Sequence, residues 1–233
     1  MWDSLRQSLD LTLFWEYRTL LLRGLLQNIY IFFCGALLAT ALAFAIGAAR
    51  LSKRGTVRIL STGYAELFRN TPEYVFLIWV YYVLPIIFSR LLATKFNFSP
   101  YAAAVLALGV SYSGFLSETV RAGILAIPRT HIEAAMALGM SRWMIMRRII
   151  APQAIRRMLP EALNQYVSLF KATSLVSLIA VEDLMYQVSM ITVQEMRPLP
   201  LYTGAALLYC GIIIAAAQCI QHLSDRWRQR GWA

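Results

Sequence analysis

The chain has 233 residues, is 59% hydrophobic and only 15% charged, and carries a net charge of +10. A soluble domain of this length normally carries more charge than that. The basic excess does not mark a nucleic-acid binder, because the arginines gather in the connections between long uncharged runs rather than in one patch.

No Asp, Glu, Lys or Arg occurs between Gly24 and Ala49, between Phe96 and Ser117, or between Pro198 and Ser224. Each run is long enough to cross a hydrocarbon layer of about 30 Å as a helix of about 20 residues. In chain order, residues 1–23 mix Trp2, Phe14 and Trp15 with Arg6, Asp10, Glu16 and Arg18, and read as an interfacial amphipathic segment with no cleavable leader. A first span is expected from about Leu25 to Ala49, with Gly35 and Gly47 as points of close helix approach. A second is expected around Tyr74 to Ser89, extending inward past Glu73, and a third from about Pro100 to Ile124. The fourth, from about Leu159 to Val181, carries Asn164, Gln165, Lys171, Thr173 and Ser174, too polar to face lipid all round. An amphipathic helix over Glu182–Arg197 and a fifth span from about Leu199 to Leu223 follow, then a basic tail over 224–233.

Arg50, Lys53, Arg54, Arg58 and Arg69 follow the first span, and Arg129, Arg142, Arg147, Arg148, Arg156 and Arg157 follow the third. Basic connections stay cytoplasmic, so the asymmetry predicts a multi-pass protein with its N-terminus outside and its C-terminus in the cytoplasm. The five arginines from Arg142 to Arg157 fit anionic lipid headgroups or a protein partner. Cys34, Cys210 and Cys219 lie in apolar runs without metal spacing, and the lone His131 and His222 have no ligand partners, so no metal site is expected. No paired histidines, GxSxG or HExxH marks an enzyme. A secondary transporter commonly has internal repeats, and none is visible.

The connection of residues 127–158 is long for a loop and therefore a functional candidate. Pro128 and Thr130 introduce a short helix near His131, with Glu133 in its first turn. Ala134, Ala135 and Ala137 keep the helix slim, Gly139 permits a turn, Ser141 can cap the next helix, and Pro152 breaks or kinks that helix before Pro160 opens the following span. A slim helix held out by a glycine turn is shaped to dock.

Glu133-Ala134-Ala135, then Gly139, Ile149 and Ala151-Pro152, resembles the EAA signature of ABC importer permeases, with Ala151 where the family has Leu. Arg69-Asn70-Thr71-Pro72, the segment Ser117 to Ile124, Pro152-Gln153-Ala154 through Leu159-Pro160 and Asn164, and Lys171-Ala172-Thr173-Ser174-Leu175 resemble segments of its polar amino-acid branch, the histidine, glutamine and glutamate permeases. The resemblance implies an all-α, type I importer transmembrane subunit with about five spans, set in a bacterial inner membrane. It also implies a second permease subunit, two ABC ATPase subunits, an external solute-binding protein and a polar amino-acid cargo. No Walker A motif occurs, so ATP and Mg belong to the partner ATPase and this chain holds no cofactor. Thr130, His131, Glu133, Ala134, Ala135, Gly139 and Met140 are then the ATPase-coupling residues, although Thr130-His131 replaces the family's Gly-Gln. For the substrate path the candidates are Arg121, Glu118, Thr173, Ser174, Glu182 and Lys171. Arg121 can fork a substrate carboxylate or pair with Glu118, and the two roles coexist. Ala172 stands where the family carries Asp. A same-superfamily permease for another solute is the alternative.

Overall fold

The computed structural model describes residues 12–229, with side chains described as far as His222. Its helices are α1 (Thr12–Glu16), α2 (Arg18–Ala49), α3 (Gly55–Asn70), α4 (Glu73–Ile78), α5 (Leu84–Leu92), α6 (Pro100–Leu125), α7 (Arg129–Ala137), α8 (Arg142–Ile145), α9 (Ala151–Ala172), α10 (Leu184–Glu195) and α11 (Pro198–Gln229). Among the described residues, 4 helical stretches are long and apolar enough to cross a membrane, and 5 if the bent stretch from Arg142 to Glu195 counts as one. That agrees with the expected spans. Residues 1–11 of the expected interfacial segment and 230–233 of the tail lie outside the described residues.

Two compact units share the long helices. One comprises the described residues up to 36 together with 72–109 and 167–216; the other comprises 37–71, 110–166 and 217 onward. Helix α2 has no polar face to turn inward, and its sidedness comes from size instead. Gly24, Asn28, Gly35, Ala39, Ala43 and Gly47 are buried, with Leu21 and Ile31 the large exceptions, while Leu22, Leu26, Tyr30, Phe33, Leu37 and Phe44 stand exposed. Small residues let helices approach closely in lipid, where large apolar side chains lose nothing by facing outward. Gly47 is such a point of approach, since a Cβ there would lie 2.8 Å from Val120. At Gly35 a Cβ would meet its nearest neighbours at 4.0 Å, in ordinary contact.

The first unit is built on a core of Leu13, Leu21, Leu184, Val188, Ile191, Leu201 and Ala205. Buried Leu184, Val188 and Ile191 recur along one face of α10 at helical spacing, as the expected amphipathic helix requires. Trp15 is exposed, with the Arg18 guanidinium 5.3 Å from its ring. At the far end of this unit's core, the Tyr17 hydroxyl donates to Glu195. The polar centre is a joint. Helix α9 gives way to a 3-10 turn, Thr173–Ile179, which ends at Ala180 with φ +58°; Asp183 then caps α10 by accepting from Tyr186 N at 2.9 Å. Asn28 of α2 holds both sides of this joint: Nδ2 donates to Thr173 O (3.1 Å), Thr173 Oγ1 (3.2 Å) and Asp183 Oδ2 (3.0 Å), and Oδ1 accepts from Leu184 N (3.1 Å).

In the second unit α3 packs against α6 at Gly114, where a Cβ would lie 3.2 Å from Ala65 O, and the Tyr64 hydroxyl lies 2.8 Å from Ser113 Oγ. The sequence reading treated this stretch as a basic connection, because Arg58, Glu66 and Arg69 interrupt its apolar residues. A helix lying beside a span instead of crossing it tolerates such charges on its open face. Thr40 and Tyr166 hydroxyls, 2.6 Å apart, tie α2 to α9.

Pro160 acts differently from expectation, and Pro152 does not break its helix. The stretch from Arg142 to Ala172 is continuous, so Pro152 does not break it and Pro160 lies inside α9 instead of opening a span. A π-helical segment, Met146–Ile150, precedes Pro152, closed by Ala151 N bonding to Met146 O. The same arrangement precedes Pro85: Trp79–Val83 is π-helical and Leu84 N bonds to Trp79 O. A proline donates no hydrogen bond and crowds the carbonyl four residues back. Widening the preceding turn relieves that crowding without ending the helix.

Candidate functional site: a projecting helix and a charge cluster

Helix α7 begins directly after Pro128 and ends at Ala137, with Leu138 as its C-cap before Gly139 at φ +75°. Gly139 N bonds to Met136 O (2.9 Å) and Met140 N to Ala135 O (3.1 Å). Those two bonds are the left-handed Schellman closure of a helix, and they explain why a glycine must stand four residues after Ala135. Glu133 falls in the second turn of α7, not the first, because the helix starts at Arg129. Ser141 caps the next helix, accepting from Met144 N at 3.3 Å.

The helix stands out from the rest of its unit. Thr130, His131, Glu133, Ala134 and Gly139 are exposed, Met140 is half-buried, and only Ala135 of α7 is fully buried. Large apolar side chains in the same stretch face solvent: Met136, Leu138 at 82% and Trp143 at 73% exposure. Exposed apolar surface rimmed by charge marks a docking site. Two contacts fix the helix from behind: His131 Nδ1 lies 3.1 Å from Gln153 Oε1, and Arg157 donates to Ala126 O. Gly139→Val is expected to distort this turn, since a β-branched residue at positive φ costs about 1–2 kcal/mol. Faster amide exchange over Ala135–Met140, with protection in α6 unchanged, is the expected readout.

In the same unit, Glu118 on α6 sits among three guanidinium groups. Arg121 grips it bidentately, Nη2 to Oε1 and Nε to Oε2 at 3.2 Å. Arg50, the residue after α2, places Nη1 2.7 Å from Oε2, and Arg69 at the end of α3 lies 3.8 Å from Oε2 and 3.5 Å from Glu66. Arg50 is buried, with its side chain at 5% exposure against 27% for Glu118. Thus the expected Glu118–Arg121 pair exists, and Arg50, in sequence one of several basic residues that follow the first span, joins it. Its burial depends on the fold around the end of α2, which no local pattern announces.

The remaining substrate-path candidates fall in the other unit. Lys171 and Glu182 are exposed, and Ser174 bonds back to Lys171 O at 2.8 Å. The Thr173 hydroxyl is occupied by Phe170 O and Asn28. Asp183, beside Glu182, is the fully buried carboxylate of that unit among the described residues.

Comparison with known proteins bears on the whole chain. Residues 40–229 match the family model of the binding-protein-dependent transport system inner membrane component. The chain belongs to this family. A probable amino-acid ABC transporter permease of Vibrio harveyi is 31% identical over 77% of this chain and 79% of its own length. The glutamine transport system permease of Escherichia coli strain K12 is 29% identical over 94% of this chain and 98% of its own. The arginine ABC transporter permease of Haemophilus influenzae is 30% identical over 92% and 96%. Among solved structures, an amino acid ABC transporter with histidines superposes with a TM-score of 0.85 at 28% identity, covering 93% of this chain and 98% of that one. An inward-facing methionine ABC transporter shares the fold with a TM-score of 0.69 at 19% identity over 94% and 98%. As an inner membrane component this family member is all-α and multi-pass, with the type I importer permease fold.

Proposed function

We propose that the protein is the membrane-spanning subunit of an ATP-driven importer of polar amino acids, and that α7 is its contact with a separate ATPase. The observation that carries this is the projecting helix: slim, closed by Gly139, and flanked by exposed Met136, Leu138 and Trp143. The amino-acid cargo is supported by the names of the relatives. A dimer of permease subunits, two ATPases that bind ATP and Mg, and an external solute-binding protein complete the working unit. The coupling loop and the basic connections face the cytoplasm, leaving the N-terminus outside and the C-terminus within.

In this reading nucleotide acts only through partner affinity. ATP closes the ATPases, which prefer one position of Glu133-Ala134-Ala135, and that preference shifts the spans between inward- and outward-facing states. On the substrate path, Arg121 accepts the carboxylate common to all α-amino acids, in competition with Glu118. Among the candidates in the other unit, Glu182 is the one assigned to a substrate ammonium or side chain, and Thr173 serves the joint.

The test is ATP hydrolysis by the reconstituted complex screened over all twenty amino acids. Stimulation by one chemical group is expected. Glu133→Lys is expected to lower transport at least about tenfold while the complex still assembles, because a reversed charge at a docking surface costs about 1–2 kcal/mol or more. Stimulation by no amino acid would move the cargo to another small solute, and normal coupling in Glu133→Lys would remove α7 as the contact.

A further inference from the structure

We propose that Arg50 is a positioning residue that holds Glu118 away from Arg121 when a substrate carboxylate arrives, so that the cluster works as an ion-pair exchange. The inference rests on the reading of Arg121 as the carboxylate site. Glu118 and a substrate carboxylate have the same chemistry, and Glu118 already fills both arms of the Arg121 fork. Substrate can enter only by displacement. Displacing a half-buried carboxylate into poorly solvated space is costly unless another cation keeps it.

Arg50 is placed to be that cation. Its Nη1 lies 2.7 Å from Oε2, the oxygen that Arg121 Nε reaches at 3.2 Å, while Arg121 Nη2 holds Oε1 at 2.5 Å. Arg50 Nε is buried with no hydrogen-bond partner among the described residues. The guanidinium therefore has donors to spare, which a rotating Glu118 can satisfy. Arg69 is the weaker holder, at 3.8 Å and shared with Glu66. Glu118 is also the one carboxylate within ion-pair distance of Arg50 among the described residues, so it cannot leave without stranding a buried charge. The three guanidinium groups face two carboxylates, Glu66 and Glu118, which leaves one positive charge for an incoming anion.

The exchange predicts opposite effects for the two partners. Equilibrium binding of each labelled amino acid is measured on the permease–ATPase complex without its binding protein, so that only the membrane site is read. Removing the competitor, Glu118→Gln, is expected to tighten binding several-fold. Arg50→Gln, which leaves Glu118 clamped on Arg121, is expected to weaken it about tenfold, equivalent to about 1.4 kcal/mol. The double variant Arg50→Gln/Glu118→Gln is expected to return to within about threefold of the parent, and Arg50→Lys to stay within about threefold, since the charge is retained. A purely structural Arg50 would leave the double variant as weak as Arg50→Gln, which overturns the proposal. If Arg50→Gln does not assemble, Glu118→Gln decides alone, and unchanged or weaker binding there overturns it. Binding of no amino acid, or full affinity in Arg121→Gln, would defeat the carboxylate reading itself. Loss in Arg121→Gln with unchanged affinity in both Glu118→Gln and Arg50→Gln would defeat only the role of Arg50.

Discussion

Asn28→Leu is expected to lower the melting temperature of the purified complex by about 5–10 °C, the equivalent of roughly 3 kcal/mol for a chain of this size. Leucine has the branched outline of asparagine but is the larger side chain, so no cavity forms and the loss is of hydrogen bonds with some overpacking. Asn28 is fully buried and makes four hydrogen bonds to the joint between the 3-10 turn and α10. Without it, the Thr173 carbonyl, the Leu184 amide and one oxygen of the buried Asp183 each lose a partner. Orphaned buried groups cost about 1–3 kcal/mol apiece, discounted here because the unfolded state in a membrane also finds partners. Asp183→Asn keeps a polar group of the same shape and is expected to cost less. A melting temperature for Asn28→Leu within a degree of the parent would mean the joint is held by its apolar surroundings.

Gly24→Ala is expected to prevent recovery of a monodisperse complex, or to destabilise it by about 3 kcal/mol, at the strong end of overpacking effects. A Cβ at Gly24 would lie 2.7 Å from Asp183 C, Asp183 O and Leu184 N. All three are backbone atoms, which cannot rotate away as a side chain can. Gly24 is also one turn before Asn28, so any retreat of α2 breaks the same hydrogen bonds. The control is Gly63→Ala on α3, where a Cβ meets nothing within 4 Å. There the gain in helix propensity, about 0.5–1 kcal/mol, is the whole effect, and the variant is expected to be neutral or slightly stabilised. Equal behaviour of the two variants would contradict the close approach at Gly24.

Much of the fold was legible because its causes are local. An uncharged run of sufficient length is a span wherever it sits, and the expected third span, Pro100 to Ile124, differs from α6 by one residue. The projecting helix was legible for a similar reason: Ala135, Gly139 and Met140 carry their own backbone closure within six residues, so their spacing predicts their shape. Ser141 as a cap belongs with them.

What the chain could not show locally is where its polar groups find partners. Glu182 and Asp183 are adjacent carboxylates with the same propensities, yet Asp183 is fully buried and Glu182 exposed, because only Asp183 meets an asparagine 155 positions away. Arg50 reads as one more basic residue after a span until α6 sets Glu118 beside it. The prolines are the third case. Pro152 and Pro160 carry the composition of helix breakers, but neighbours and a widened turn absorb them. Hydropathy and turn chemistry depend on nearest neighbours along the chain and so determined the spans and the docking helix. The pairing of buried charges and amides depends on distances across the fold, and only the tertiary structure decided it.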